Sequence, residues 1–244
     1  MTPWGSTAEW VDLLDSQVPQ ILALVIETWD KLPPPAGNER EDPVTNRLCS
    51  ALQRCPDRAA YPFRIQPQAV ILEPDSGDEL GRLDIAFLPF VPSDEIYFCL
   101  ECKRINVRTE NGIRPYFAEY VRFGMLRFVS GQYSGAVRHG GMLAFVLDGD
   151  VPAAIVGIQD NVKMQHRNLG MDAPGELQTS TVLQPEPRVR ETRHRRGQSP
   201  DMFVIHHLFM AGDLHARMLP EPANASPLPR KKDEQRRSRR KTRK

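Results

Sequence analysis

Three ionisable residues stand inside segments otherwise built to be buried. Asp84 lies in Leu83-Asp84-Ile85-Ala86-Phe87, and Glu101 and Lys103 lie in Cys99-Leu100-Glu101-Cys102-Lys103. Charges in such surroundings are costly unless each has a partner. Two acids beside a lysine point to a specific chemistry. Paired carboxylates on neighbouring strands repel by roughly 3 kcal/mol at an effective dielectric near ~20, and a hard divalent cation such as magnesium turns that repulsion into attraction. A lysine next to the cation would orient an attacking water and stabilise charge developing on a phosphate. The competing interpretation is a surface charge ladder in which Lys103 neutralises both acids.

That chemistry requires the three side chains to meet. Val91-Pro92-Ser93-Asp94 reads as a hairpin loop between two strand-like runs. A turn centred between Pro92 and Ser93 sets Asp84 opposite Glu101. Strand alternation then puts Lys103 on the face of Glu101 and turns the Cys102 side chain away. A third acid is in reach: Glu41 shares the core-facing stripe of a predicted helix with Val44 and Leu48. It reads either as a further ligand contact or as a partner for the helix dipole.

The elements that position these residues follow from periodicity. Capping-box spacing at Ser6 and Glu9, with a stripe through Trp10, Leu13, Leu14, Ile21, Val25 and Trp29, predicts a helix over 6–31 that Pro19 kinks or divides. A second helix is expected over 39–54. Strands are expected over 63–73, 82–90 and 95–105, then a helix over 116–129 and a strand over 142–147. Asp150 and Pro152 open a helix over 151–169, residues 170–200 read as a loose segment, and 202–210 reads as a returning strand.

Gly81-Arg82-Leu83-Asp84, followed after sixteen residues by Glu101-Cys102-Lys103, resembles the G-x-x-D…E-x-K signature of the PD-(D/E)XK (restriction-endonuclease-like) nuclease superfamily, with Leu83 where the superfamily's name has proline. The expected helix–strand–strand–strand–helix–strand order over 39–147 is similar to that superfamily's core. The resemblance implies an α/β fold with a restriction-endonuclease-like αβββαβ core, a mixed central sheet flanked by helices, and an added N-terminal helical segment. It implies a magnesium-dependent phosphodiesterase, with manganese as a substitute, acting on DNA in preference to RNA. Asp84, Glu101 and the Cys102 carbonyl would be metal ligands. Lys103 would be the water-positioning base or electrostatic group, and Glu41 the helix acid. The stretch Arg127 to Tyr133, with Gly141-Met142-Leu143, resembles a segment that follows the catalytic strands in bacterial proteins of this type, many of them from restriction or anti-phage defence systems. Arg127, Gln132 and Tyr133 would then reach the substrate phosphate, and partner subunits or a homodimer become expectations. His194 and His206 or His207 are further candidates to approach the site.

Composition sets the frame. The net charge of +1 conceals ten Lys or Arg and two acids between Arg230 and Lys244, leaving 22 basic and 29 acidic residues before them. The acidic body argues against a broad nucleic-acid-coating surface and suits carboxylates gathered around a cation. The tail, including Arg236, Arg237, Arg239 and Arg240, would attract a phosphate backbone without reading sequence, or else contact an acidic partner or aid solubility. The organisation expected is an N-terminal helical segment over 1–35, a nuclease-like domain over 36–219 and a basic tail over 220–244 without fixed structure. Cys49, Cys55, Cys99 and Cys102 read as small buried hydrophobes, since the Cys99 and Cys102 side chains point to opposite strand faces. The longest apolar runs fall short of a membrane span, and a cytoplasmic location is expected.

Overall fold

The computed structural model describes residues 5–56, 60–72, 76–133, 136–197 and 201–212; the basic tail lies outside them. Two helices, α1 (Thr7–Asp30) and α2 (Glu41–Gln53), lead into three strands, β1 (Phe63–Leu72), β2 (Glu79–Pro89) and β3 (Phe98–Ile105). A two-stranded hairpin follows, β4 (Val107–Thr109) and β5 (Gly112–Arg114). The next helical segment is α3 (Phe117–Tyr120), a π-helical turn (Val121–Met125) and α4 (Leu126–Val129). It leads to β6 (His139–Val146), α5 (Val151–Gln165), β7 (Gln178–Thr179), β8 (Val189–Arg195) and β9 (Met202–Ala211).

The protein is α/β, with a mixed seven-stranded sheet ordered β1-β2-β3-β6-β9-β8-β7. The β3–β6 and β6–β9 pairs are parallel and the other neighbours antiparallel. Strand alternation gives β3 two faces, with Glu101 and Lys103 on one and Cys102 and Arg104 on the other. Helix α1 covers the second face, where Trp29 stacks on Phe145, 5.3 Å between ring centroids. The 117–129 segment covers the first, where the Tyr120 hydroxyl meets His207.

Helix α1 starts where the sequence says it should. The Ser6 hydroxyl accepts from the Glu9 N–H, and the Glu9 carboxylate accepts from the Ser6 N–H at 2.6 Å. Pro19 does not divide it; one helix runs through, held by Leu14, Val18, Ile21, Leu22 and Val25, all fully buried. Each such apolar side chain contributes roughly 1.5–3 kcal/mol on burial, enough for tertiary packing to absorb an interior proline costing ~3 kcal/mol. The expected stripe is shifted, with Leu13 exposed and Val11 and Val18 buried instead. Helix α5 opens as expected, the Asp150 carboxylate accepting from the Ala153 N–H. It stops at Gln165, short of the expected end, and the chain turns back at Gly170. That residue has φ +61°, and a Cβ there would meet the Arg195 carbonyl oxygen at 2.4 Å.

The largest departure from expectation lies in 170–200. Its basic cluster is not a loose segment but strand β8, paired along its length with β9. The hydrophobic signal was missing because Glu191, Thr192 and His194 occupy buried positions.

Candidate functional site

Strands β2 and β3 pair in the expected register: Phe87 opposite Phe98, Ala86 opposite Cys99, Ile85 opposite Leu100. The ladder stops there, one pair short of Asp84 and Glu101. The β1–β2 ladder also skips the Gln68–Asp84 pair, and Gln68 sits at a left-handed φ of +48°. Strained backbone of this kind costs energy and persists only where its surroundings impose it.

Opening the ladder leaves β3 donors without strand partners, and carboxylates replace the missing carbonyls. Asp84 Oδ2 accepts from the Cys102 N–H at 2.7 Å. Glu41, at the first residue of α2, accepts from the Arg104 N–H at 3.0 Å through Oε2. Its other oxygen accepts from Lys103 Nζ at 3.2 Å. The ammonium also donates to Glu101 Oε1 and to the Cys102 carbonyl oxygen, both at 2.8 Å. Asp84, Glu101, Lys103, Glu41 and the Cys102 carbonyl therefore share one opening.

Glu101 is the centre of this arrangement and is 1% exposed. Besides Lys103, it accepts from Arg127 Nη1 at 2.7 Å and from the Tyr133 hydroxyl at 2.5 Å. Three donors, two of them cationic, offset the cost of burying its charge. Arg127 and Tyr133 thus reach the site by holding Glu101. Gln132 stays at the edge, donating to the Leu80 carbonyl at 3.1 Å. A Cβ on Gly81 would meet the Gln132 amide nitrogen at 2.6 Å, so the glycine of the motif accommodates this contact.

The surroundings of Asp84 act against its charge. Burial, reinforced by the Glu101 charge, pushes the Asp84 carboxyl up to about 7, with the Cys102 N–H and Lys103 opposing. Desolvation works against the Lys103 ammonium, but Glu101 and Glu41 outweigh it and raise its pKa. The Tyr133 hydroxyl is raised by burial and then by Glu101, so it remains a proton donor to that carboxylate. Arg127 is likewise held protonated, Glu101 prevailing over desolvation.

Searches of known protein families, of characterised proteins and of solved structures return no match to this chain. Geometry alone therefore carries the functional argument. Among the described residues, no three His, Cys, Asp or Glu side chains lie close enough together to grip a metal ion. Asp84 and Glu101 supply hard carboxylate oxygens on either side of Cys102, whose carbonyl Lys103 Nζ bridges to Glu101. Such a set fits magnesium, which holds several waters and takes only one or two carboxylates.

The candidate histidines do not join these residues. In register across the sheet, Met142 lies between Glu101 and His207. His207 instead bonds the Tyr120 hydroxyl at 2.9 Å and Thr192 at 2.8 Å, Thr192 bonds His194 at 2.6 Å, and His194 bonds the Leu169 carbonyl at 2.7 Å. His206 bonds His139 at 3.0 Å. Burial holds His194 down to about 4 and His206 to about 3. They form neutral internal networks. A concavity of about 340 Å³ between α1 and residues 183–188 is lined by none of the site residues, and Arg188 bonds Asp30 and Glu186 within it. No helix among the described residues is long and apolar enough to cross a membrane.

Proposed function

We propose that this chain is a divalent-metal-dependent nuclease with a restriction-endonuclease-like core. It hydrolyses phosphodiester bonds, of DNA in preference to RNA, in the cytoplasm, within restriction or anti-phage defence. The observation that carries this reading is the convergence of Asp84, Glu101, Lys103 and Glu41 where the β2–β3 ladder opens. Asp84, Glu101 and the Cys102 carbonyl would hold magnesium or manganese, which would supply Lewis-acid activation of water and charge neutralisation at the phosphate. The remaining residues have separable tasks. Lys103, kept as an ammonium by Glu101 and Glu41, acts through its charge on the phosphate oxygens rather than as a base. Arg127 and Tyr133 fix the Glu101 carboxylate so that no reorganisation is needed at the moment of reaction. Glu41 positions Lys103.

One set of observations favours a second reading, a non-catalytic subunit that keeps the fold to bind nucleic acid or a partner protein. Glu101 is already balanced by Lys103 and Arg127, and Asp84 and Glu41 already cap the open strand edge. A cleavage assay separates the two. Plasmid, linear DNA and RNA are incubated with the full chain in magnesium, in manganese and in chelator, beside an Asp84→Ala control. Metal-dependent cleavage absent from the control supports the nuclease. Binding without cleavage in either metal supports the second reading.

A further inference from the structure

The helical segment over 117–129 carries a feature that neither the metal-site chemistry nor the core accounts for. Its π-helical turn presses Gly124 inward, where a Cβ would lie 2.3 Å from the Met142 methyl and 3.8 Å from Glu101 Cγ. The same turn leaves Arg122 and Phe123 outside. Phe123 is 50% exposed, and the Arg122 guanidinium stands 5.3 Å from its ring centroid. Arg122 makes no ion pair among the described residues, unlike Arg114, Arg127 and Lys103. A cation without an ion pair beside a half-exposed aromatic ring leaves both groups open to a ligand, and π-turns of this kind concentrate at functional sites.

The pair is bracketed by the candidate site. One turn further on, Arg127 reaches Glu101. At the start of the segment the Arg114 guanidinium stands 4.2 Å from the Tyr116 ring centroid, and the Arg104 guanidinium 5.8 Å from it. The backbone N–H of that same Arg104 bonds Glu41. Two aromatic–guanidinium stacks therefore lie along one chain segment, which reaches the site through the Arg127 bond to Glu101. A stack of this type offers a ring face to a base and a cation to its phosphate, the combination that holds unpaired strands without reading sequence. A paired, stacked duplex would present no base face to Phe123.

We infer that Phe123 and Arg122, with the Tyr116 stack, form a ledge that binds an unpaired nucleic-acid strand and leads it to the opening at Asp84 and Glu101. This rests on the nuclease reading, and the test separates the two. Binding of a fluorescent oligothymidylate and of a matched duplex is followed by anisotropy with the full chain, in calcium, over a salt series. Phe123→Ala is expected to weaken single-strand binding about tenfold or more, the scale of one lost base stack. Arg122→Ala is expected to lower the salt slope by about 0.7, one phosphate contact. Both side chains are exposed, so the melting temperature should not move; a fall would be checked with Phe123→Leu, which keeps the apolar bulk but not the stack. Single-strand affinity unchanged in both variants, or a parent protein that binds duplex and ignores the single strand, overturns the ledge while leaving metal-dependent cleavage intact. A parent that neither binds nor cuts nucleic acid overturns both.

Discussion

Replacing Asp84 by Asn tests whether this acid is held against its own charge. The carboxyl is raised from 3.8 to about 7, chiefly by burial and by Glu101. Between those two values the folded protein keeps a proton that the unfolded chain has lost. The contribution of Asp84 to stability is therefore greatest below about pH 4, falls as pH rises towards 7 and is level above it. At ~1.4 kcal/mol per unit, the charge costs at most ~4 kcal/mol at pH 8, and solvent reaching the half-buried carboxylate lowers this towards ~2. Asn removes the charge and retains an oxygen that can accept from the Cys102 N–H. The variant should match its parent at pH 4 and exceed it at pH 8, by about 5–10 °C for a chain of this size. Melting followed by circular dichroism in chelator, at pH 4, 6 and 8, reads this directly. Equal pH slopes in the two proteins, or an Asn variant less stable at pH 8, would refute the argument.

Glu101 should behave in the opposite way, although both acids share one opening. Glu101→Ala removes the common acceptor of Lys103, Arg127 and Tyr133, and should cost about 3–5 kcal/mol in denaturant unfolding; stability within ~1 kcal/mol of the parent would show that these bonds do not hold the acid. Magnesium binding at pH 6 should release up to about one proton as Asp84 ionises, and less at pH 8; calorimetry in two buffers of different ionisation enthalpy measures it, and zero release at pH 6 excludes Asp84 as a ligand. Lys103→Ala should lower the cleavage rate at saturating substrate by roughly 10²–10³-fold with the fold intact, and cleavage at the parental rate would remove Lys103 from the mechanism.

The hairpin register was legible because one loop and strict alternation fix it: with the turn centred at Pro92-Ser93, Ile85 has to face Leu100, as it does. Glu41 was legible for a similar reason, since helical spacing from Val44 and Leu48 aims it at the sheet. Strand β8 was not. Its inward positions carry Glu191, Thr192 and His194, satisfied by Thr181, Arg193, His207 and the Leu169 carbonyl. Apart from the Arg193–Glu191 and Thr192–His194 bonds within the strand, these partners come from other chain segments, so no apolar alternation marks it. The 117–129 segment was legible as a helix, but its π-turn was not, because it depends on Met142 and Glu101 packing against Gly124.

The same distinction explains why sequence reasoning treated the two acids alike and the fold does not. From spacing, Asp84 and Glu101 are equivalent, opposed and mutually repelling. In the fold, Asp84 lies where β2 leaves β3 and meets one backbone N–H and a distant Gln68 amide at 3.5 Å. Glu101 lies under the 117–133 segment and meets three strong donors. Burial without sufficient donors raises a carboxyl, whereas burial among cationic donors stabilises the charge. An incoming divalent cation would therefore gain most from Asp84, the acid with donors still to find, while Glu101 and Lys103 are already set in place. The ladder opening decides how far Asp84 is satisfied, because a continuous β2–β3 ladder would take up the Cys102 N–H and leave the carboxylate only the Gln68 amide.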